Sequence, residues 1–421
     1  MKVLVLGAGV VGVATAYYLR KDGHDVTVVD RQPGPGRETS YGNAGGLCPS
    51  FAGPWAAPGM VTKVLKQSLQ RHSPIRFSPL PEPRRMAWAL QWMRNCTPER
   101  FRVNKLRMQR VAHYSLQCLR DLVAAEPLPG FDFHEGGVLQ IFRTPAELEL
   151  GRLSARTLEE YGVPRRILDA AQAAEVEPAL ARSAVGMAGA LHLPADASGD
   201  CHKFSRNLAA LLQQRGVAFR YGVAIESIAR EGDAIGAVRA SNGETLRADA
   251  YVVALGSHAP FLLRPLGLKL PVYPLKGYSI TAPVDDPDGA PTMAVMDEHN
   301  KVMISRLGDR IRAAGMAELT GYGLGLDPAR RELLVGVVRE LFPQGLDWSR
   351  VEFWAGLRPM TPDGPPILGR TRWPNLFLNG GHGSNGWTQS CGTARIVADI
   401  VAGRRPAVDL DGLTAERFHR A

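Results

Sequence analysis

The sequence predicts an α/β fold built on a Rossmann-like, dinucleotide-binding domain. Three observations support this prediction: a complete strand, glycine loop, helix and strand pattern within the first 30 residues, a second glycine-rich loop at residues 379–388 that opens a helix, and an ordinary globular composition. The 421 residues are 45% hydrophobic and 22% charged, which excludes disordered, collagen-like and coiled-coil architectures. This length predicts two or three domains or one large interleaved unit.

The opening pattern contains every part of a nucleotide-binding βαβ unit. Residues 3–6 form an apolar run typical of a buried parallel strand, residues 13–21 predict a helix, and residues 26–29 predict a second strand. Between strand and helix, Gly7 permits the tight turn, Gly9 lets the backbone approach a pyrophosphate, and Gly12 lets the helix pack on the strand. Asp30, 18 positions after Gly12, is expected to bind a ribose diol and disfavours NADP. The pattern leaves FAD and NAD open.

The segment after Asp30 favours a flavin. A classical NAD domain would continue with a helix, whereas residues 38–46 read ETSYGNAGG, a loop of small and hydroxyl residues that can approach a phosphate or a ring closely. The middle of the chain then returns to the same domain, with a helix predicted at 208–214 and strands at 218–221, 224–228 and 250–255. The cofactor-binding residues expected from these segments are Arg31, Thr39, Ser40, Asn43, Ala44, Gly45, Gly46, Val223 and Gly256.

A second glycine-rich loop lies near the C-terminus. Residues 375–378 predict a strand, and the loop NGGHGSNGWT at 379–388 opens a helix predicted to run to residue 401. Such a loop is an anion site. One pyrophosphate needs only one, so the second suits the pyrimidine end of a flavin, which becomes anionic on reduction. The expected cofactor contacts here are Gly381, His382, Gly383, Gly386, Trp387 and Thr388.

These motifs together resemble the FAD-dependent D-amino-acid oxidase superfamily, and within it the bacterial D-amino-acid dehydrogenases of the small-subunit type. Further markers are AGPWAAPGM (52–60), LPADASGDC (193–201), VYPLKGYSI (272–280) and WAGLRPMTPDG (354–364), so the resemblance covers nearly the whole chain. It implies a glutathione-reductase-like FAD domain from residues 1–60, 190–265 and 350–421. An α+β substrate domain with a mostly antiparallel sheet would come from 61–189 and 266–349.

The resemblance also implies site residues and a reaction. Arg358, in the GLRP motif, would bind a substrate carboxylate, with Tyr278 as the assisting hydroxyl; Tyr273 and Tyr41 stay open for that role. The absence of a cysteine next to Met360 implies non-covalent FAD. The implied reaction is hydride transfer from Cα of a D-amino acid, such as D-alanine, to flavin N5, giving a 2-oxo acid and ammonia. The alternative substrates are secondary amino acids: proline, hydroxyproline or sarcosine.

The charge distribution bears on partners and location. Residues 61–120 contain 13 Lys or Arg, two Glu and no Asp within a chain of net charge +9. This stretch predicts a peripheral contact with anionic lipids, suited to a quinone acceptor, or else a solvated basic face. An electron-transfer protein and dioxygen stay open as alternative acceptors. Nucleic acid is not expected as a partner. The five cysteines lack CxxC spacing, which predicts reduced thiols, no metal site and a cytoplasmic location, with the inner face of the membrane as the place of contact.

Overall fold

A computed structural model describes residues 1–68, 75–78, 80–160 and 162–418 of the chain. Its α-helices within these residues are α1 (Val10–Lys21), α2 (Met60–Ser68), α3 (Pro83–Asn95), α4 (Pro98–Ala125), α5 (Pro145–Glu160), α6 (Ala170–Val176), α7 (Cys201–Gln214), α8 (Ala259–Leu263), α9 (Pro328–Leu341) and α10 (Gly386–Val401). The strands in the first half are β1 (Lys2–Leu6), β2 (Asp25–Val29), β3 (Gly46–Leu47), β4 (Ile75–Phe77), β5 (Val138–Phe142), β6 (Arg166–Leu168), β7 (Gly189–Leu193), β8 (Ala197–Ser198), β9 (Ala218–Arg220) and β10 (Ile225–Glu231). Those in the second half are β11 (Ala234–Ala240), β12 (Thr245–Leu246), β13 (Ala250–Val253), β14 (Tyr273–Pro283), β15 (Ala294–Asp297), β16 (Val302–Leu307), β17 (Arg310–Leu319), β18 (Glu352–Met360), β19 (Ile367–Arg370) and β20 (Leu376–Gly380).

The first layer is a six-stranded sheet in the order β19-β20-β13-β1-β2-β9. Its strands run parallel except β19, which is antiparallel to β20 at one edge. Apolar residues of α1, α4, α7 and α10 form one core with the sheet, which explains the continuous apolar runs of β1 and β13. The predicted Rossmann-like domain is confirmed, and its first helix begins at Val10 rather than at residue 13.

The second layer is a nine-stranded sheet that contains β18-β14-β17-β16-β15-β5-β7-β6, with β4 beside β17. Only the β15–β5 and β17–β4 pairs in it run parallel, so the predicted mostly antiparallel sheet is confirmed. On one face, apolar side chains of β14, β16 and β17 pack against α9. Loop 38–46 crosses the opposite face, where Gly42 lies against Trp354 and Ser279.

Several elements cross the predicted domain boundaries. β7 and β18 lie in the antiparallel sheet, and α4 packs against α10. The boundaries at 60, 190, 265 and 350 stay a prediction. Two smaller sheets complete the fold: β10-β11-β12, and the short pair β3-β8, which joins the end of loop 38–46 to residues 197–198. Within the described part of the chain, no helix is both long enough and apolar enough to cross a membrane.

Candidate cofactor and substrate site

The first glycine loop has room for a ligand at one position and for nothing at the other two. A methyl group on Gly7, whose φ is +109°, would lie 2.5 Å from the carbonyl oxygen of Ala254. One on Gly12 would lie 1.9 Å from the carbonyl oxygen of Gly7. A methyl group on Gly9 would have Ser40 Oγ, at 3.5 Å, as its nearest neighbour. The geometry therefore matches the three roles expected from the sequence: turn, ligand approach and helix packing.

The N-terminus of α1 leaves backbone donors available beside this opening. The amide of Val10 donates to Ser40 Oγ at 3.0 Å, while those of Val11 and Gly12 donate to no other described residue. Unpaired amides and the positive end of the helix dipole attract a phosphate. Together with the space at Gly9, they fit the pyrophosphate of a dinucleotide such as FAD.

Asp30 lies at the end of β2 and is held by backbone donors. The amide of Ala8 donates to its Oδ2 at 2.6 Å and that of Gln32 to its Oδ1 at 2.8 Å. Burial raises the pKa of Asp30, and these two hydrogen bonds act against that rise. The amide of Val223 donates to the carbonyl oxygen of Asp30 at 3.0 Å. The carboxylate is thus fixed beside the glycine loop, where the sequence expects a ribose.

Loop 38–46 joins the parallel sheet to the antiparallel one. The hydroxyl of Thr39 donates to the carbonyl oxygen of Leu357 at 2.7 Å, and the Ser257 hydroxyl reaches the same oxygen at 3.3 Å. Ser257 belongs to the turn that begins at Gly256, where a methyl group would meet nothing within 4 Å. Arg31 forms an exposed ion pair with Glu38 at 2.6 Å. Through Thr39 and Ser257, loop 38–46 and the turn after β13 both contact Leu357, the residue that precedes Arg358.

The end of the loop is ordered by its own side chains and by α10. Asn43 Oδ1 accepts from the amide of Gly45 at 2.9 Å, and Ala44 lies between them. The Gly45 carbonyl oxygen accepts from the amide of Gly199 at 2.8 Å. Thr388, in the first turn of α10, accepts from the amide of Cys48 at 3.1 Å and reaches the carbonyl oxygen of Gly46 at 3.4 Å. The two glycine-rich loops therefore meet.

The loop before α10 is closely packed. Gly381 and Gly383 have φ of +72° and +56°, and a methyl group on either would lie 2.8 Å from a side chain. His382 is buried and its Nε2 lies 3.0 Å from Thr393 Oγ1. Burial lowers the pKa of His382 to about 3, so the ring is neutral at physiological pH. At the helix start, Gly386 precedes Trp387, whose indole nitrogen donates to the carbonyl oxygen of Gly199 at 3.1 Å.

Arg358 is a partly buried cation without an ion-pair partner among the described residues. From β18 its guanidinium reaches across β14 to β17, where it donates to the carbonyl oxygens of Met316 at 2.9 Å and Gly315 at 3.4 Å. The path crosses Gly277, on which a methyl group would lie 2.1 Å from Nη1 of Arg358. Burial lowers the pKa of Arg358 to about 10, so the group is charged at neutral pH. A carboxylate ligand would supply the missing counter-charge.

Tyr278 is not the partner of Arg358 in this structure, and this expectation needs correction. Tyr278 pairs with Ala355 whereas Arg358 pairs with Leu275, so alternation along the strands places the two side chains on opposite faces. The buried Tyr278 hydroxyl donates to Glu318 at 3.0 Å. In turn, Glu318 forms an ion pair with Arg330 at 2.8 Å.

Of the other two tyrosines, Tyr273 is on the same face as Arg358, but its hydroxyl donates to Glu82. Tyr41 lies in loop 38–46, with its ring centroid 6.4 Å from that of Trp354.

Two glycines that sequence reasoning missed make room for the side chains of Arg358 and Trp354 on this face. Gly277 and Gly356 are paired across β14 and β18, and a methyl group on Gly356 would lie 2.0 Å from Trp354. An isolated glycine inside a strand was the available sign of this close approach.

The chain matches known proteins along its whole length. Residues 2–400 match the model of the DAO family, described as FAD dependent oxidoreductase. The chain is 51% identical over 418 residues to a D-amino acid dehydrogenase from Methylobacterium radiotolerans, covering 99% of this chain and 100% of the relative. It is 50% identical over 419 residues to a D-amino acid dehydrogenase from Chromohalobacter salexigens, with the same coverage.

Solved structures show the same fold at low sequence identity. Glycine oxidase from Geobacillus kaustophilus matches with a TM-score of 0.73 at 24% identity, covering 98% of this chain and 97% of that one. L-Proline dehydrogenase from P. horikoshii matches with a TM-score of 0.75 at 17% identity, covering 100% and 98%. These likenesses concern the fold alone.

Proposed function

This chain belongs to the DAO family of FAD-dependent oxidoreductases, and we propose that it is a D-amino-acid dehydrogenase that converts D-amino acids such as D-alanine to 2-oxo acids and ammonia. Full-length identity of 50–51% to relatives named D-amino acid dehydrogenase supports this substrate class. Those names do not favour the alternative, a secondary amino acid. The likeness to L-proline dehydrogenase, at 17% identity, gives that alternative no support.

The observation that carries the proposal is the unpaired guanidinium of Arg358. It uses carbonyl oxygens of β17 as its acceptors, and no carboxylate of the described residues lies within 4.0 Å. A buried cation is costly unless a ligand or a side chain neutralises it. The carboxylate of an amino acid can bind a guanidinium through two parallel hydrogen bonds, which fixes the orientation of Cα.

The residues of this chain would hold FAD non-covalently and orient the substrate. When bound, FAD supplies a two-electron acceptor. The pyrophosphate would bind the N-terminus of α1, and the flavin would lie between loop 38–46 and the start of α10. Arg358 would hold the substrate carboxylate, so that catalysis depends mainly on positioning and electrostatics. The imino acid that leaves the site is hydrolysed by water to the 2-oxo acid and ammonia.

The proposed acceptor is a quinone reached at the cytoplasmic face of a membrane. On α3, the side chains of Met86, Leu90 and Met93 are 61%, 46% and 43% exposed and share one side of the helix. Arg84 and Arg94 are exposed on the same helix. Apolar side chains flanked by cations suit a surface of anionic lipids.

The membrane contact is tested by sedimentation with vesicles. Anionic vesicles should retain the protein and neutral phosphatidylcholine vesicles should not. A Met86→Gln, Leu90→Gln, Met93→Gln variant should lose this retention, whereas Leu150→Gln on α5, a 65% exposed residue, should keep it. Equal retention of both variants would contradict the proposed surface.

The substrate class is tested by flavin absorbance without oxygen. The purified protein should be yellow, and D-alanine should bleach the visible flavin bands while L-alanine and L-proline leave them unchanged. Replacing Arg358 by Lys keeps the positive charge but removes the planar guanidinium that can donate two parallel hydrogen bonds to a carboxylate. This change should weaken D-alanine binding by about 100-fold. Bleaching by L-proline alone would replace the proposal with the secondary-amine alternative, and a colourless protein would overturn the FAD assignment.

A further inference from the structure

Two opposite charges, Arg312 and Glu352, lie on the same sheet face as Arg358. Thr281 of β14 is paired with Arg312 of β17 on one side and with Glu352 of β18 on the other. Paired residues of an antiparallel sheet project on the same face. The row therefore presents a cation, a hydroxyl and an anion on three adjacent strands. Strands are spaced by about 4.8 Å, so the backbones of Arg312 and Glu352 lie roughly 10 Å apart.

The two charges do not neutralise each other. Arg312, 5% exposed, donates through Nε to Thr281 Oγ1 at 3.0 Å and through Nη1 to the carbonyl oxygen of Tyr41 at 3.0 Å. No carboxylate among the described residues lies within 4.0 Å of it, and its Nη2 donates to none of them. Burial lowers the pKa of Arg312, and Asp200, its largest opposing charge, is the ion-pair partner of Arg310. Glu352 is exposed and has no ion pair among the described residues.

Both charges line a cleft of about 380 Å³ that has an aromatic wall. Tyr41 and Trp354 provide this wall, and Gly42 and Ser279 complete the lining around Thr281. The hydroxyl of Ser279 is buried and makes no hydrogen bond to any described residue. A buried hydroxyl without a partner beside a cation without an anion indicates that the cleft is built to receive a polar ligand.

We propose that this cleft is a second binding site, for a zwitterionic α-amino acid whose carboxylate binds Arg312 and whose ammonium binds Glu352. The Ser279 hydroxyl would donate to the carboxylate, and an apolar or aromatic side chain would pack on Trp354. A ligand with only one of the two charges would leave either Arg312 or Glu352 without a counter-charge. The chemical class is therefore an amino acid rather than a simple carboxylate or amine.

The cleft is separate from the substrate position proposed at Arg358. Along β14, Gly277 below the Arg358 guanidinium is four residues from Thr281, which corresponds to roughly 14 Å. Trp354, which folds over Gly356, lies between them. The Arg312 bond to Tyr41 connects the cleft to loop 38–46. An amino acid in the cleft would thus contact the loop that is proposed to hold the flavin.

The test is calorimetric titration of the oxidised, FAD-loaded Arg358→Lys variant, in which the proposed substrate site is weakened. L-Phenylalanine should bind with one-to-one stoichiometry. 3-Phenylpropionate, which lacks the ammonium, and phenethylamine, which lacks the carboxylate, should bind at least 10-fold more weakly. Adding Glu352→Gln should weaken L-phenylalanine binding by at least 10-fold, and Glu226→Gln, a change of an exposed carboxylate on β10, should alter it by less than 2-fold.

Three results would overturn the second site: no heat of binding, equal affinity for 3-phenylpropionate, or an unchanged affinity after Glu352→Gln. Thermal melting of each variant verifies that it is folded, and Glu352 is suited to this test because it makes no side-chain bond with the described residues. The calorimetric titration measures binding and does not depend on catalytic turnover. Failure of D-alanine to bleach the wild-type flavin would reject the proposed activity without affecting this result.

Discussion

Replacing Gly277 by Ala should impair substrate binding without replacing any side chain that is proposed to bind the substrate. The added methyl group would lie 2.1 Å from Nη1 and 2.3 Å from Cζ of Arg358, far inside contact distance. The guanidinium must therefore leave its place over β14. The carbonyl oxygens of Met316 and Gly315 that hold it are backbone atoms of the same sheet, so they cannot follow a displaced side chain. The backbone of Gly277 is not in the left-handed region, so alanine brings no conformational strain of its own.

The size of the effect follows from the bonds that a displaced guanidinium loses. Two hydrogen bonds to a charged carboxylate are worth about 1.5–3 kcal/mol each, and a shifted cation keeps part of the attraction. A net loss of about 3 kcal/mol corresponds to a roughly 100-fold weaker binding of D-alanine. The same factor should appear in kcat/KM, because the interaction orients the substrate in the transition state.

The assay is rapid mixing of Gly277→Ala with D-alanine without oxygen, with flavin bleaching recorded over a range of concentrations. The apparent Kd should rise by about 100-fold while the flavin spectrum stays that of the parent protein. Gly336→Ala is the matched control, because a methyl group on this exposed position of α9 meets nothing within 4 Å. A Kd within 3-fold of wild type in a folded Gly277→Ala protein would refute the assignment of Arg358 to the carboxylate.

Three further outcomes can be checked on the purified protein. Burial raises the pKa of Asp196 from 3.8 to about 7, so between these two pH values the folded chain holds a proton that the unfolded chain releases. The free energy of unfolding should therefore fall by up to about 4 kcal/mol between pH 4 and pH 8. Urea titrations should show this fall in the wild type and much less of it in Asp196→Asn. Gly12→Ala, whose methyl group would meet the Gly7 carbonyl oxygen at 1.9 Å, should lower the melting temperature, whereas Gly9→Ala should melt normally and bind FAD more weakly in an ultrafiltration assay. Gly336→Ala should raise the free energy of unfolding by about 0.5–1 kcal/mol, measured by urea titration, because alanine is the better helix former.

The nucleotide-binding unit could be predicted because its determinants are local. Strand, glycines, helix and second strand follow one another within 30 residues, and the structure has each of them in place. The start of the helix was misplaced by three residues. Gly9 acts as its N-cap with an extended backbone, and the valines that follow look like a continued strand in sequence but already lie in the helix.

The partners of Arg358 could not be predicted, because they depend on the register of distant strands. Its acceptors, the carbonyl oxygens of Met316 and Gly315, lie 42 and 43 residues away in the chain, and Met316 has a φ of +62°. The pairing of β14 with β17 shifts between Lys276 and Tyr278, a local irregularity of the sheet. Such irregularities redirect side chains and backbone groups beside binding sites, and no motif in the sequence marks this one.

Tyr278 shows that the alternation of side chains along β14 decides which residues can face the proposed substrate position. Shifting a residue by one position along β14 moves its side chain from the face that carries Arg358 and loop 38–46 to the face that packs on α9. A tyrosine close to the right place in sequence therefore ends in the core, where its hydroxyl binds a buried carboxylate. The same alternation places Ser279 and Thr281 beside Trp354 on the loop-facing side. A hydroxyl carried by β14 can face a substrate at Arg358 only from that side of the sheet, which excludes Tyr278, whereas Tyr273 shares the side of Arg358 and donates to Glu82.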